Sequence, residues 1–257
     1  MGAKSQINPK RETPEDEQAR AAAVRGMFTS IAHRYDLLNH LLSFNVDKLW
    51  WRRTARAFAP LLARPGVRVL DLCCGTGDMT FALLRQAARS GNAKPSICGV
   101  DFSPEMLRRA RAKSGARTPG AREAISWIEA DALHLPFPDG GFQVVTCAFG
   151  FRNLVNYEAG LREIHRVLAP GGEAGILDFG EPDGVLGKLY RVYFRHVLPA
   201  VGALVSGVRG PYSYLPASVS RFPPPDQMLA RLRACGFRQT SRTSYTFGIA
   251  GLYRGMK

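Results

Sequence analysis

The sequence predicts an α/β protein. We expect a doubly wound, mostly parallel seven-stranded sheet, with an antiparallel strand pair at its C-terminal end and a helical lid ahead of it. Three observations predict this. Arg68-Val-Leu-Asp-Leu-Cys-Cys-Gly-Thr-Gly-Asp-Met-Thr80 reads as strand, glycine turn and helix, the first half of a nucleotide-binding unit. From Arg68 onward, short apolar runs alternate with helical patterns of 10–15 residues, which implies parallel strands and right-handed crossovers. Acids recur where these strands end, at Asp71, Asp101, Asp131 and Asp178, and open α/β sheets bind ligands at those ends.

Residues 1–13 are polar and read as a disordered tail, and 14–257 as a single domain. Within it, 14–65 forms the lid, 66–182 the ligand-binding core and 183–257 a region of helices and terminal strands. Thr13 can cap a helix over Pro14–Ser30, with Pro14 in its first turn. Leu41–Ala59 also reads as helical and carries Trp50 and Trp51. The first strand follows, and its turn lets backbone approach a ligand at Gly75 and Gly77. Ser96–Asp101 is the second strand. Ser103-Pro104-Glu105 starts a helix to about Lys113, and Ser114–Arg122 reads as a loop. Ile125–Glu129 is the third strand and Phe142–Ala148 the fourth. Tyr157–Leu168 is a helix ended by Pro170-Gly171-Gly172, and Ala174–Phe179 is the fifth strand. Val185–Val208 is an apolar helical stretch with Lys188, Arg191 and Arg195 on its polar side. Asp226–Ala234 is a further helix, and Thr240–Phe247 with Ile249–Tyr253 forms the terminal pair.

Composition narrows the function. The chain has 257 residues and is 46% hydrophobic, ordinary for a globular core. No apolar run approaches the roughly 20 residues that span a bilayer, and the polar N-terminus lacks a signal core, so a cytoplasmic protein is expected. Five cysteines without metal-ligand spacing suit a reducing compartment. Net charge is +14. Eleven Lys/Arg against two acids from Asp183 to Lys257 place +9 of it in the last 75 residues. Such a basic region attracts anionic surfaces or is simply solvated.

The turn differs from a dinucleotide fingerprint. Counted from Gly75 it runs G-x-G-x-x-T, without the third glycine, and Asp71 precedes it. A carboxylate there repels a pyrophosphate and suits a cation or amine. S-adenosylmethionine, with its sulfonium and amino group, fits that charge. Asp101 stands 24 residues beyond Gly77, where an acid bonds ribose hydroxyls, with Phe102 beside it. Asp131-Ala132 can receive the adenine amino group, Asp131 otherwise being a turn former.

Several segments carry a more specific resemblance. They are Thr29-Ser-Ile-Ala-His-Arg-Tyr-Asp-Leu-Leu-Asn39, Val69–Asp78, Gly99-Val-Asp-Phe-Ser103, Leu135-Pro-Phe-Pro-Asp139, Phe149-Gly-Phe-Arg-Asn153, Arg166–Gly172, Tyr212-Ser-Tyr-Leu-Pro216 and Gly248–Lys257. The chain thereby resembles the ubiquinone/menaquinone biosynthesis C-methyltransferases from about Val24 to Lys257. That resemblance implies a Rossmann-like methyltransferase fold, S-adenosylmethionine as cofactor and methylation of a ring carbon on a polyprenylated quinol, with demethylmenaquinol preferred and the ubiquinone-pathway ring as alternative. It places cofactor contacts on Thr76, Asp101 and Asp131-Ala132. The family often has Ser where Ala148 stands, so that position offers no side-chain hydrogen bond.

Carbon methylation needs an electron-rich ring, which ionising a phenol supplies. Arg152 either stabilises the developing phenolate or pins its loop. Tyr35, His33 and Asp178 are candidates for positioning or proton relay. Asn153, Tyr212 and Tyr214 are expected at the acceptor. Val185–Val208, the Tyr212–Leu215 loop and the lid are expected to form an apolar entrance for the tail. The surrounding arginines would then face an anionic membrane at the inner face of the cell membrane. A homodimer or a quinone-biosynthesis complex is compatible with this. An RNA methyltransferase is disfavoured, since no cysteine follows a proline and no recognisable RNA-binding module is present. A nicotinamide oxidoreductase fails on the missing glycine and on Asp71. A non-catalytic lipid-binding protein remains a third class.

Overall fold

A computed structural model describes Ala19, Ala22 and residues 24–26, 46–92, 94–117, 121–180 and 217–257. Its seven strands are β1 (Arg68–Leu72), β2 (Ser96–Asp101), β3 (Ile125–Glu129), β4 (Phe142–Ala148), β5 (Leu168–Phe179), β6 (Arg238–Tyr245) and β7 (Ala250–Met256). The sheet order is β3-β2-β1-β4-β5-β7-β6. Strands β1 to β5 run parallel, and β7 is antiparallel to both β5 and β6. The chain winds outward from β1 to β3, then returns to place β4 on the other side of β1. That reversal leaves a crevice between the carboxyl ends of β1 and β4, the place where such sheets take ligands.

Alternation along β1 decides what each face buries. Leu70 and Leu72 join the core cluster that includes Leu161 and Ile164 of α6 (Tyr157–Val167) and Met228 and Leu232 of α7 (Pro225–Ala234). Val69 faces the other way, among Ala55, Phe58, Leu62, Met79, Phe81 and Leu83. Those residues belong to α1 (Val46–Ala57), α2 (Ala59–Leu62), the Phe58 that joins them, and α3 (Asp78–Arg89). Each fully buried Leu or Phe contributes about 1.5–3 kcal/mol. The two-sided burial explains why β1 reads as a near-continuous apolar run.

Three local expectations need correction. The helix from Pro104 runs to Arg117 as α4, and α5 (Ala121–Ala124) follows it, where a loop from Ser114 is expected. Ser114 survives inside the helix because its hydroxyl donates to the Ala110 carbonyl at 3.0 Å and accepts the Trp127 indole N–H at 3.2 Å. Strand β5 begins at Leu168, so Pro170-Gly171-Gly172 lies inside it. Pairing on both sides overrides the turn chemistry there. Phe142 pairs with Leu168 across a register shift; the Gly171 N–H donates to the carbonyl of Lys257, just past β7, and the Lys257 N–H to the Gly172 carbonyl. The helix expected over Leu41–Ala59 is described from Val46, ends at Ala57 and restarts at Ala59. Of the expected helix over Pro14–Ser30, only Ala19, Ala22 and 24–26 are described, as helical. Val185–Val208 lies outside the described residues.

Candidate active site

A cavity of about 650 Å³ opens at the carboxyl ends of β1, β2, β3 and β4, within the range of ligand sites. Its wall includes Cys73 and Gly75 after β1, Val100, Asp101 and Phe102 at β2, and Glu129 to Leu133 at β3. It also includes Ala148, Phe149, Gly150 and Asn153 after β4. Ala22, Val24 and Arg25 close one side, and Arg25 is ion-paired with Glu129.

The glycine turn shapes the first wall. Gly77 caps α3 with φ of 89°, in the left-handed region. A Cβ there would stand 2.5 Å from Cη2 of Trp127, so both backbone and packing demand glycine. Opposite, a Cβ on Gly150 would stand 2.3 Å from Cβ of Cys73. The β1 and β4 loops therefore touch through the absence of a side chain. Cys73 and Phe149 both hold left-handed φ values, 51° and 58°, and both line the cavity. Such backbone at non-glycine residues is strained and collects at functional sites.

The carboxylates behave differently from one another. Asp101 is buried, with Oδ2 accepting the Gly75 N–H at 2.8 Å and Oδ1 the Ser103 N–H at 2.9 Å. It thus clamps the turn while standing in the cavity wall. Burial pushes its carboxyl up to about 6. Asp71 is fully buried and accepts the hydroxyls of Thr80 at 2.6 Å and Thr146 at 2.7 Å. It is absent from the cavity wall, because the alternation of β1 turns it to the α3 face with Val69. Burial pushes it, too, up to about 6. The expected place of Asp71 beside a sulfonium therefore becomes a place one layer behind the wall. Thr76 is likewise buried, accepting from Lys113 Nζ at 2.7 Å, and lies outside the wall with Gly77. Asp131 and Ala132 do line the cavity. Asp131 Oδ1 accepts the Leu133 N–H at 2.9 Å, and Oδ2 lies 3.3 Å from Nδ1 of the exposed His134.

Past β4, Arg152 is buried and does not line the cavity. Its Nη1 donates to Asp178 Oδ1 at 3.0 Å and to the Phe149 carbonyl, while its Nε donates to Ser218 at 3.3 Å. Its backbone N–H donates to Asp178 Oδ2 at 3.0 Å. This guanidinium pins the loop, the second of the two roles expected for it. Burial raises the Asp178 carboxyl and the Arg152 charge opposes the rise. The pin holds Phe149 against Phe179 at 4.5 Å and Trp50 at 5.8 Å between ring centroids. Asn153 completes the short turn (Phe151–Asn153) and lines the cavity. His33, Tyr35, Tyr212 and Tyr214 lie outside the described residues.

The structure adds wall residues that the sequence reading did not single out. Arg25 and Glu129 are far apart in sequence and carry no motif. Met106 and Leu133 carry no motif either. Phe149 and Gly150 stand in a segment already singled out, though Arg152 and Asn153 drew the attention there.

The cavity fits an adenosyl ligand. It has a buried acid at the end of β2, a second acid beyond β3, apolar walls and backbone brought close at Gly75. Solved structures agree on the fold. A possible histamine N-methyltransferase of Thermotoga maritima superposes with a TM-score of 0.60 at 17% identity, covering 90% of this chain and 98% of that one. A putative methyltransferase of Haloferax volcanii, solved with its Trm112 activator, gives 0.60 at 21% identity over 89% and 96%. Sequence relatives are nearer. The demethylmenaquinone methyltransferase of Deinococcus radiodurans is 49% identical over 94% of this chain and 95% of its own length. That of Thermus thermophilus is 48% identical over 89% and 99%. The ubiquinone/menaquinone biosynthesis C-methyltransferase UbiE of Geobacter sulfurreducens is 43% identical over 91% and 88%. The family model that matches covers residues 15–257, and the chain belongs to the ubiE/COQ5 methyltransferase family.

Proposed function

We propose that the protein, acting as one methyltransferase unit over 14–257, transfers a methyl group from S-adenosylmethionine to a ring carbon of a polyprenylated quinol. The preferred acceptor is demethylmenaquinol, giving menaquinol. The observation that carries the donor half is Asp101, a buried carboxylate in the cavity wall that also clamps the glycine turn. The naphthalene-derived ring is supported by the two relatives named for demethylmenaquinone. The Geobacter relative carries the names of both quinones, which keeps the benzene-derived ring as the second reading.

When bound, the cofactor supplies a methyl group activated by positive sulfur. The remaining work falls to the chain. Asp101 accepts the ribose hydroxyls. Asp131 accepts the adenine amino group between Met106 and Leu133. Asp71 lies behind the wall, and with Asp101 it gives this end of the cavity a negative field that favours a cationic ligand over its neutral product. The acceptor meets the wall formed by Phe149, Gly150 and Asn153. Asn153 can orient a ring hydroxyl. Arg152 and Asp178 are positioning residues, fixing that wall so that ring carbon and methyl meet in line. Proton removal from the ring hydroxyl is assigned to the 27–45 segment, where His33 and Tyr35 lie. No helix among the described residues is long and apolar enough to cross a membrane. An acceptor with a polyprenyl tail resides in the bilayer, so the enzyme works at the membrane's inner face.

The test supplies purified protein with methyl-labelled S-adenosylmethionine and short-chain reduced precursors of both rings. Mass spectrometry is expected to find label on the naphthoquinol carbon. Cofactor binding without label on either ring would overturn the proposal.

A further inference from the structure

Two large apolar side chains stand in solvent among the described residues, Phe247 at 80% exposure and Leu49 at 48%. They share one rim. Leu49 lies on α1 one turn before Arg53, and the Arg53 guanidinium sits 4.8 Å from the centroid of the Tyr245 ring. The Trp50 indole N–H donates to Thr246 Oγ1 at 2.8 Å. Helix α1 is thus stitched at two points to the Tyr245-Thr246-Phe247 corner.

Phe247 stands at a left-handed corner. Thr246 and Phe247 have φ of 46° and 57°, a region disfavoured for branched and bulky residues. The corner is held by the Trp50 bond, by Ile249 N–H to the Thr246 carbonyl at 3.1 Å and by Gly180 N–H to the Ile249 carbonyl at 2.9 Å. A phenyl ring is therefore kept in water at conformational cost.

Cations share α1 with Leu49, and one of them, Arg53, lies over Tyr245 beside the Phe247 corner. Lys48, Arg52, Arg53 and Arg56 of α1 are exposed, while Asp47, the helix's one acid, is buried and bonds the Lys48 N–H at 2.7 Å. Exposed Arg85 and Arg89 on neighbouring α3 extend this face, and the charges of Arg52 and Arg89 both act on Arg85. Beneath the rim, Trp50 meets Phe149 at 5.8 Å and Phe179 at 6.1 Å, and Phe149 reaches the cavity wall. A column of aromatic rings joins the cavity to the rim.

We propose that Phe247 and Leu49, with the cations of α1 and α3, form a docking surface for an anionic lipid bilayer. The two side chains enter the acyl boundary and the cations face lipid phosphates. A bilayer needs depth and charge, which this rim supplies. A stable protein interface needs about 800 Å² per partner around its anchors, and the two exposed side chains supply nothing of that size. The purpose of the surface rests on the reading of the acceptor as a membrane lipid: it brings the Trp50–Phe149–Phe179 column to the bilayer that holds the acceptor.

The test is flotation of the full chain with vesicles of phosphatidylcholine alone or mixed with phosphatidylglycerol. Wild type is expected to bind the mixed vesicles and to release them at high salt. The double variant Phe247→Ser with Leu49→Ser should bind about tenfold more weakly, and Arg52→Glu with Arg56→Glu should lose the preference for anionic lipid. Both variants should keep wild-type S-adenosylmethionine affinity and wild-type turnover on a short-chain, water-soluble acceptor. That readout separates failure here from failure of the methyltransferase reading. Wild type that does not bind mixed vesicles, or a Phe247→Ser/Leu49→Ser variant that binds them like wild type, overturns the proposal.

Discussion

The two halves of the cavity are built by opposite means. On the β1–β2–β3 side, carboxylates stand in the wall itself among apolar side chains: Asp101, Glu129 and Asp131 line it, with the turn at Gly75 held by Asp101. Past β4 the wall is Ala148, Phe149, Gly150, Asn153, Leu154 and Val155, and the Arg152–Asp178 ion pair lies behind it, out of the lining. The first half can recognise a polar cofactor directly. The second offers shape and apolar surface beside Asn153, with its charged pair behind the lining. The difference teaches that beyond β4 the ion pair holds a loop from behind the wall, whereas Asp101 both clamps the turn and stands in the wall.

Breaking the acceptor-side pin should have the largest effect. Asp178→Ala leaves the buried Arg152 charge unpaired, its side chain being 5% exposed. The cost should be about 3–5 kcal/mol in urea unfolding. On the donor side, Asp71→Ala strands the hydroxyls of Thr80 and Thr146. That should remove about 2–4 kcal/mol of stability, with cofactor affinity falling less than in an Asp101 variant. Asp101→Asn sharpens the contrast. It should weaken S-adenosylmethionine about 10- to 100-fold while changing stability by no more than about 1 kcal/mol, because the desolvated charge is also removed. Arg152→Lys should lower turnover with cofactor affinity near wild type, read as a fall in kcat at unchanged cofactor KM.

The pH response separates building from binding. Burial lifts Asp71 and Asp101 from 3.8 to about 6, so the folded chain holds these protons more tightly than the unfolded one. Their contribution to stability is fullest below about pH 4 and is lost as pH rises through about 6. Cofactor affinity should run the other way, rising as Asp101 ionises near pH 6. Melting curves and binding titrations across that window, compared with Asp101→Asn, would show both slopes.

Much of the donor half was legible in the sequence, because strand alternation and turn chemistry are local. The ends of β1 to β4, the glycine turn and Asp101 all follow from residues within a few positions of one another. The side on which Asp71 falls was in principle legible too, since it shares the parity of Val69. Arg152 shows the opposite limit. A lone arginine in Phe149-Gly-Phe-Arg-Asn153 reads equally as catalyst or pin, and its contact with Asp178, 26 residues away, is something no local pattern shows. Arg25–Glu129 and the Leu49–Phe247 rim depend on separations of 104 and about 200 residues, which no local pattern encodes. Strand β5 began early for the same reason: its partners in β4 and β7 overrule Pro170-Gly171-Gly172.

The division between the halves is tested most directly by calorimetric titration of S-adenosylmethionine into wild type, Asp101→Asn and Arg152→Lys. The account predicts one site per chain in all three, at least about tenfold weaker in Asp101→Asn and unchanged in Arg152→Lys. Wild-type affinity in Asp101→Asn, or a comparable loss in Arg152→Lys, would contradict it.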